Sequence, residues 1–159
     1  MAVLDSTLNQ YEVLNYFNYK DGNLYKRFKE DKPMGSLTDE GYVVVGFNKK
    51  SQFAHRVIFL MFNGYLPSCI DHIDGNKSNN RIENLRPATA KTNGYNQSIR
   101  QKTSSGIKNV TWHKIAKKWQ VKFSADGHVK YFGLYNDIDY AKFVADAMRY
   151  KYHGNFARG

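Results

Sequence analysis

The chain carries a single cysteine, Cys69, which excludes an intramolecular disulfide and leaves no thiolate cluster for structural zinc. It has no apolar run approaching the roughly 20 residues that span a bilayer. Its first residues, Met1-Ala2-Val3-Leu4-Asp5, have neither the basic nor the apolar region of a signal peptide. The expectation is a cytoplasmic chain with no membrane partner. Internal repeats, heptads and low-complexity tracts are missing too, which excludes solenoids and coiled coils. Acidic residues are scarce: 14 Asp and Glu stand against 24 Lys and Arg, for a net charge of +10. That excess points to a polyanionic partner, although a merely solvated basic surface has the same composition. What is present is core-forming material, with 42% hydrophobic and 15% aromatic residues, so a disordered polycation is excluded. A chain of 159 residues is one domain or two small ones.

The charge is not spread evenly. Residues 1–99 hold 12 basic and 10 acidic residues, whereas residues 100–159 hold 12 and 4. The stretch from Gly94 to Gly106 is polar, short of core residues and flanked by glycine, which is the composition of a linker. Two modules are expected, the second holding nucleic acid and the first doing something more specialised.

In the first module, Leu8 to Phe17 has the apolar period of a short helix, and Asp21-Gly22 is a turn into a strand over Leu24 to Phe28. Gly41 to Phe47 and Gln52 to His55 are expected as a hairpin around Asn48-Lys49-Lys50, with His55 ending the second strand. Val57 to Phe62 is apolar almost all round and reads as a buried helix that stops at Asn63-Gly64. In the second module, Val110 to Trp112, Trp119 to Phe123 and Tyr131-Phe132 alternate as strands of a three-stranded antiparallel sheet. Asn136 or Asp137 then caps a helix whose inner face is Ile138, Ala141, Ala145, Met148 and Tyr152. One sheet face, with Gln120, Lys122 and Ser124, is left open. Trp112 and Trp119 fall on the other and are expected in the core.

The chemistry concentrates between Cys69 and Asn93. Asp71-His72 sits on a strand, Asp74-Gly75 and Asn79-Asn80 mark a tight polar loop, and Arg81 to Leu85 is expected to return as a second strand carrying Asn84 beside His72. Ala88 to Ser98 is then a natural short helix presenting Asn93. Neighbouring strand residues point to opposite sides, so Asp71 and His72 serve one site only where the strand bends or borders a cleft. An imidazole to activate water and two hard oxygen ligands, Asp71 and Asn93, are what metal-assisted phosphodiester hydrolysis requires, and they suit magnesium or manganese. An EF-hand loop is excluded, because placing Gly75 at its sixth position puts Ile70 and Arg81 at its ends. Zinc is disfavoured because His55, Cys69 and His72 have no ligand spacing.

His55-Arg56, Asp71-His72-Ile73-Asp74-Gly75-Asn76, Asn79-Asn80-Arg81, Asn84-Leu85-Arg86 and Thr92-Asn93 together resemble the HNH endonucleases of phages and mobile introns, in the branch with Asn at the last His. Residues 107–156, through Val110-Thr111-Trp112, Lys118-Trp119, Tyr131-Phe132-Gly133 and Ala141 to Asn155, resemble the ethylene-response-factor (Apetala-type) DNA-binding domain. The resemblance implies an α+β protein, with a ββα-metal nuclease module at 1–94 (core about 55–94), a linker at 95–105, and a three-stranded antiparallel sheet packed on one helix at 106–159. It implies cutting of double-stranded DNA in a bacterial host cytoplasm if the gene is a phage's, leaving 5′-phosphate and 3′-hydroxyl ends. Asp71 and Asn93 would ligate the metal, His72 would be the general base, and Asn84 would hold the loop and orient His72 through its backbone. Pro87-Ala88 departs from relatives that often carry a larger residue there.

For an isolated Asp-His pair, an inert polar loop is the common reading, and only the full register outweighs it. A catalytically inactive DNA-binding regulator on the same scaffold remains the alternative. An RNA-binding protein is disfavoured, since the open sheet face lacks an aromatic-rich run. His55 reads as a hydrogen-bonded structural histidine, ahead of a second base. Arg56 and Arg86 are candidate phosphate contacts, and Lys108, Lys114, Lys118, Lys122 and Lys130 are candidate DNA contacts of the basic module. A monomer or weak dimer is expected.

Overall fold

The computed structural model describes residues 8–92 and 104–157, apart from the side chain of Glu30. Asn93, most of the expected linker and the first seven residues lie outside the described residues. The chain divides into two compact units, Met1–Ala90 and Lys91–Gly159, both of mixed α and β structure. Among the described residues, no helix is long and apolar enough to cross a membrane.

In the first unit, the Asn9 side chain accepts from the Tyr11 N–H at 2.8 Å and opens α1 (Gln10–Tyr16), satisfying a donor that a helix start leaves open. So short a helix is unstable alone, and the fully buried Val13 holds it to the core. The chain runs straight into β1 (Phe17–Lys20) and turns at Asp21-Gly22, with φ of 48° and 83°, into β2 (Asn23–Lys26). Positive φ at both turn residues is the geometry that suits a two-residue hairpin. Gly22 is needed for a second reason: a Cβ there would lie 2.9 Å from the Arg81 amide nitrogen. The hairpin tip therefore presses on the loop that leads into the site. The Tyr19 hydroxyl oxygen also accepts from the Ile82 N–H, at 3.1 Å.

Beyond it, β3 (Lys29–Met34) completes a three-stranded sheet as its edge. Four charged residues and Pro33 give this strand no apolar signature in the sequence, and an edge is where Pro is tolerated. A second sheet joins β4 (Ser36–Leu37), β5 (Val43–Phe47) and β6 (Lys50–Phe53). His55 does not end a strand: β6 stops at Phe53, and α2 (Ala54–Asn63) begins with Ala54 and His55 already buried. Val57, Ile58, Phe59 and Leu60 are buried in succession. Helix propensities differ by less than about 1 kcal/mol per residue, whereas each such burial contributes roughly 1.5–3 kcal/mol, so packing decides α2. Gly64, at φ 75°, closes it.

The unit ends in a two-stranded ladder of β7 (Cys69–His72) and β8 (Leu85–Ala88). The expected strand over Arg81 to Leu85 is corrected: Ile82–Asn84 is a 3-10 turn, with the Asn84 N–H donating to the Arg81 carbonyl at 2.9 Å, and the strand starts at Leu85. Ala88 is not helical but pairs with Cys69, and helical backbone is present at 90–92.

In the second unit, β9 (Val110–His113), β10 (Lys118–Ala125) and β11 (His128–Tyr135) form an antiparallel sheet with β10 central. The Asp137 side chain caps α3 (Ile138–His153) by accepting from the Tyr140 N–H at 2.6 Å. Val110, Val121, Ala141 and Ala145 are fully buried where α3 meets the sheet, the small alanines letting the helix approach. Two expectations fail. Trp112 is 41% exposed and stacks edge-on against Trp119 at 4.8 Å, at the rim of this small core. On α3, Arg149 is buried at 2% exposure while Met148 is only half-buried. The guanidinium reaches the Lys108 carbonyl at 2.8 Å and pairs with Asp146, so its polar groups are satisfied and the burial is tolerated.

Candidate active site

Across the ladder, Asp71 stands opposite Arg86 and His72 opposite Leu85. Arg86 puts Nε 2.7 Å and Nη2 2.6 Å from the same Asp71 oxygen, Oδ2. Asp71 is 4% and His72 5% exposed, so this strand end hides a carboxylate and an imidazole in succession. A buried carboxylate is expensive unless paired, and Arg86 supplies the pair. The guanidinium expected at a phosphate thus faces a carboxylate of the site.

His72 Nε2 lies 3.0 Å from Oδ1 of Asn80. Asn80 is itself 2% exposed, whereas the sequence marks it only as part of a polar loop. In the sequence it stands in the Asn79-Asn80-Arg81 run. The His55 ring meets the His72 ring edge-on at 5.1 Å, and Phe53 and Tyr42 lie 5.4 and 5.5 Å from His55. The buried Nδ1 of His55 has no hydrogen-bond partner. Burial, with the His72 and Arg56 charges adding to it, pushes its pKa down from 6.5 to about 3. It is a neutral, aromatic wall. Burial and then the Asp71 and Glu40 charges raise the Tyr42 phenol.

Asn84 works on the loop. Its Oδ1 accepts from the Asp74 N–H at 3.0 Å, and its Nδ2 donates to Asp74 Oδ1 at 3.0 Å and to the Asn79 carbonyl at 2.8 Å. Its own carbonyl accepts from the Ile73 N–H at 2.9 Å. Burial opposes ionisation of Asp74, but bonds from Asn79, the Asn76 N–H and Asn84 outweigh it and hold this carboxyl below its ordinary range. Arg56 is half-buried on α2. Asn93, the other expected metal ligand, lies outside the described residues.

The candidate lysines separate. Lys118 and Lys122 lie on the sheet face turned away from α3, since Val121 and Phe123 alternate with them into the core. Lys114 is exposed in the β9–β10 turn, and Lys108 precedes β9 with its carbonyl held by Arg149. Lys130 does not belong with the open face. It pairs with Phe123 in the register, lies 3.3 Å from Asp126, and sits 4.4 Å over the Tyr152 ring.

A family profile described as HNH endonuclease matches residues 52–95, which contain Asp71, His72, Asn80, Asn84 and Arg86. Protein 3.8 of Escherichia phage T7 is 32% identical over 111 residues, covering 69% of this chain and 91% of that protein. Uncharacterized HNH endonuclease L560 of Acanthamoeba polyphaga mimivirus is 49% identical over 77 residues, covering 46% of this chain and 38% of that protein. A solved structure of DNA binding and cleavage by the HNH homing endonuclease I-HmuI is 30% identical, covering 74% of this chain and 71% of that one, with a TM-score of 0.43. Residues 52–95 of the chain form a domain of the HNH endonuclease family.

Proposed function

We propose that the chain is a divalent-metal-dependent DNA endonuclease of the kind carried by phages and mobile introns, with His72 as general base. The observation that carries this is the burial of Asp71 and His72 in succession, each with a dedicated polar partner. Fold stability alone gives little reason to bury a carboxylate beside an imidazole, since such groups cost several kcal/mol each to desolvate. They concentrate where chemistry needs them.

The donor set fits a hard cation. Asp71 offers a buried carboxylate, a hard oxygen donor. With the Asn93 amide oxygen it would hold magnesium or manganese and leave positions for water and phosphate. Bound there, such an ion supplies positive charge to a phosphate oxygen and to the departing 3′ oxygen. The chain's own part is to position and to move a proton. His72 takes the proton of the attacking water, Asn84 keeps the Asp74–Asn79 loop closed beside it, and the His55, Phe53 and Tyr42 rings limit water on its flank. In the second unit, the Apetala-type reading assigns Lys118 and Lys122 to the phosphates of double-stranded DNA. The sheet-on-helix build and the +8 balance of residues 100–159 support it.

The test is supercoiled plasmid DNA with the purified chain and magnesium. Nicked or linear product with 5′-phosphate ends, lost in EDTA, is expected. Intact plasmid with every divalent ion tried would overturn the reading.

A further inference from the structure

We propose that the β2–β3 turn, Lys26-Arg27-Phe28-Lys29, is a duplex-DNA contact outside the candidate active site, in which the Phe28 ring wedges against a base step in the minor groove and Lys26 and Lys29 hold the flanking phosphates. The proposal rests on the reading of the chain as a DNA endonuclease and names a place where the first unit grips its substrate. It starts from Phe28, which is 93% exposed with φ at 64°. A bulky side chain is out of place there, because the second residue of a tight turn with positive φ is ordinarily Gly or Asn. The chain follows that rule at two of its other hairpin turns, Asp21-Gly22 and Asp126-Gly127.

A single exposed apolar residue is common on protein surfaces, but here several unfavourable choices meet in four residues. The Phe28 backbone is strained and its ring unburied. Lys26 and Lys29 stand opposite each other in the ladder, where like charges repel. Arg27 adds a third cation, its guanidinium 5.4 Å from the centre of the Phe28 ring, and no acidic residue stands among the four. Local rules broken together without a packing gain mark function. A polyanion that also offers apolar surface neutralises the cations and covers the ring, and duplex DNA is that ligand. Its phosphates suit the lysines, and Phe is one of the wedges that minor-groove proteins press between base steps.

The turn is braced for that task. The Arg27 N–H donates to the Tyr16 carbonyl at 2.8 Å, and its guanidinium donates to the Leu14 carbonyl, so the base of the tip is tied to the end of α1. A ring presented on a fixed support loses less freedom on insertion. The reach also fits. At the other end of β2, the Gly22 turn packs against Arg81 of the active-site loop, and extended chain from Gly22 to Phe28 spans at most about 20 Å. That is about six base pairs along a duplex, so the tip is within reach of DNA flanking the cut.

The test uses the full chain and a short duplex carrying 2-aminopurine, in EDTA so that nothing is cut. Wild type should raise the 2-aminopurine fluorescence as the wedge unstacks a base. Phe28→Gly relieves the backbone, so its urea midpoint should not fall. Its duplex affinity should drop about 5- to 100-fold, the fluorescence rise should vanish, and the slope of log K against log salt should stay the same. Phe28→Asn, which also suits positive φ, should behave alike. Lys26→Gln with Lys29→Gln should instead flatten the slope by about 0.9 for each phosphate released. Wild-type affinity and fluorescence in a folded Phe28→Gly overturn the proposal. So does a change confined to sedimentation, which would put the ring on a second copy of the chain. Neither result touches plasmid cleavage by the wild type, so the wedge can fail while the nuclease reading stands, whereas a wild type that binds no duplex overturns both.

Discussion

Arg86 and Asp71 face each other across the β7–β8 ladder, with two guanidinium nitrogens 2.6 and 2.7 Å from one carboxylate oxygen. The pair makes burial of Asp71 tolerable, and it also sets a fixed cation in competition with any ion that uses the same carboxylate. Removing the cation leaves an uncompensated buried charge, at a cost of about 3–5 kcal/mol. Arg86→Ala should therefore lower the melting temperature in EDTA, and magnesium should restore it by more than it raises the wild type. Thermal unfolding with and without magnesium checks this, and equal magnesium shifts in the two proteins would separate Asp71 from the metal.

Asn84 makes three side-chain hydrogen bonds to Asp74 and Asn79. At roughly 1 kcal/mol each, Asn84→Ala should cost about 2–4 kcal/mol, seen as a lower urea midpoint with an unchanged m-value. Hydrogen exchange at the Asp74 amide should rise with it. Full protection in the variant would mean that the loop is held by something else.

His55 gives the fold an acid sensitivity whose sign follows from its lowered pKa. Folded, its pKa is about 3 against an ordinary 6.5, so between those values the unfolded chain binds a proton that the folded chain refuses. Stability from this source is complete above 6.5 and is lost as pH falls toward 3, at about 1.4 kcal/mol per pH unit for one proton. His55→Phe keeps an aromatic wall beside Phe53 and Tyr42 without the proton. Between pH 7 and pH 5, urea unfolding should show the wild type losing about 2 kcal/mol more than the variant. Parallel pH profiles would contradict a neutral buried His55.

The lysines divide by face. Full-length chain with Lys118→Gln and Lys122→Gln should bind duplex DNA more weakly, and the slope of log K against log salt should flatten by about 0.9 for each phosphate no longer neutralised. Lys130→Gln should leave both unchanged, because that side chain is engaged with Asp126 and Tyr152. An equal effect from Lys130→Gln would show that binding follows net charge and not the open face.

Much of this architecture is legible locally. Val43-Val44-Val45 and the turn at Asn48-Lys49 announce a hairpin, Asn63-Gly64 announces a helix end, and alternation from Trp119 to Phe123 separates a core face from an open one. What stays hidden depends on packing between distant segments. Asn80 looks like any turn residue until the Gly22 hairpin packs on its backbone. Arg149 looks like a surface cation until the Lys108 carbonyl and Asp146 receive it. Trp112 looks like core because alternation reports the face of a sheet and not its rim. Strand β3 has no apolar period to read, since an edge strand can form from backbone pairing alone.

His72→Ala tests the central claim most directly, with single-turnover cleavage and duplex affinity measured on the same preparation in magnesium. A general base acts on the rate and little on ground-state binding, so cleavage should fall by about 10²- to 10⁴-fold while Kd is unchanged. Cleavage at the wild-type rate by a folded His72→Ala would remove this imidazole from the chemistry and contradict the account.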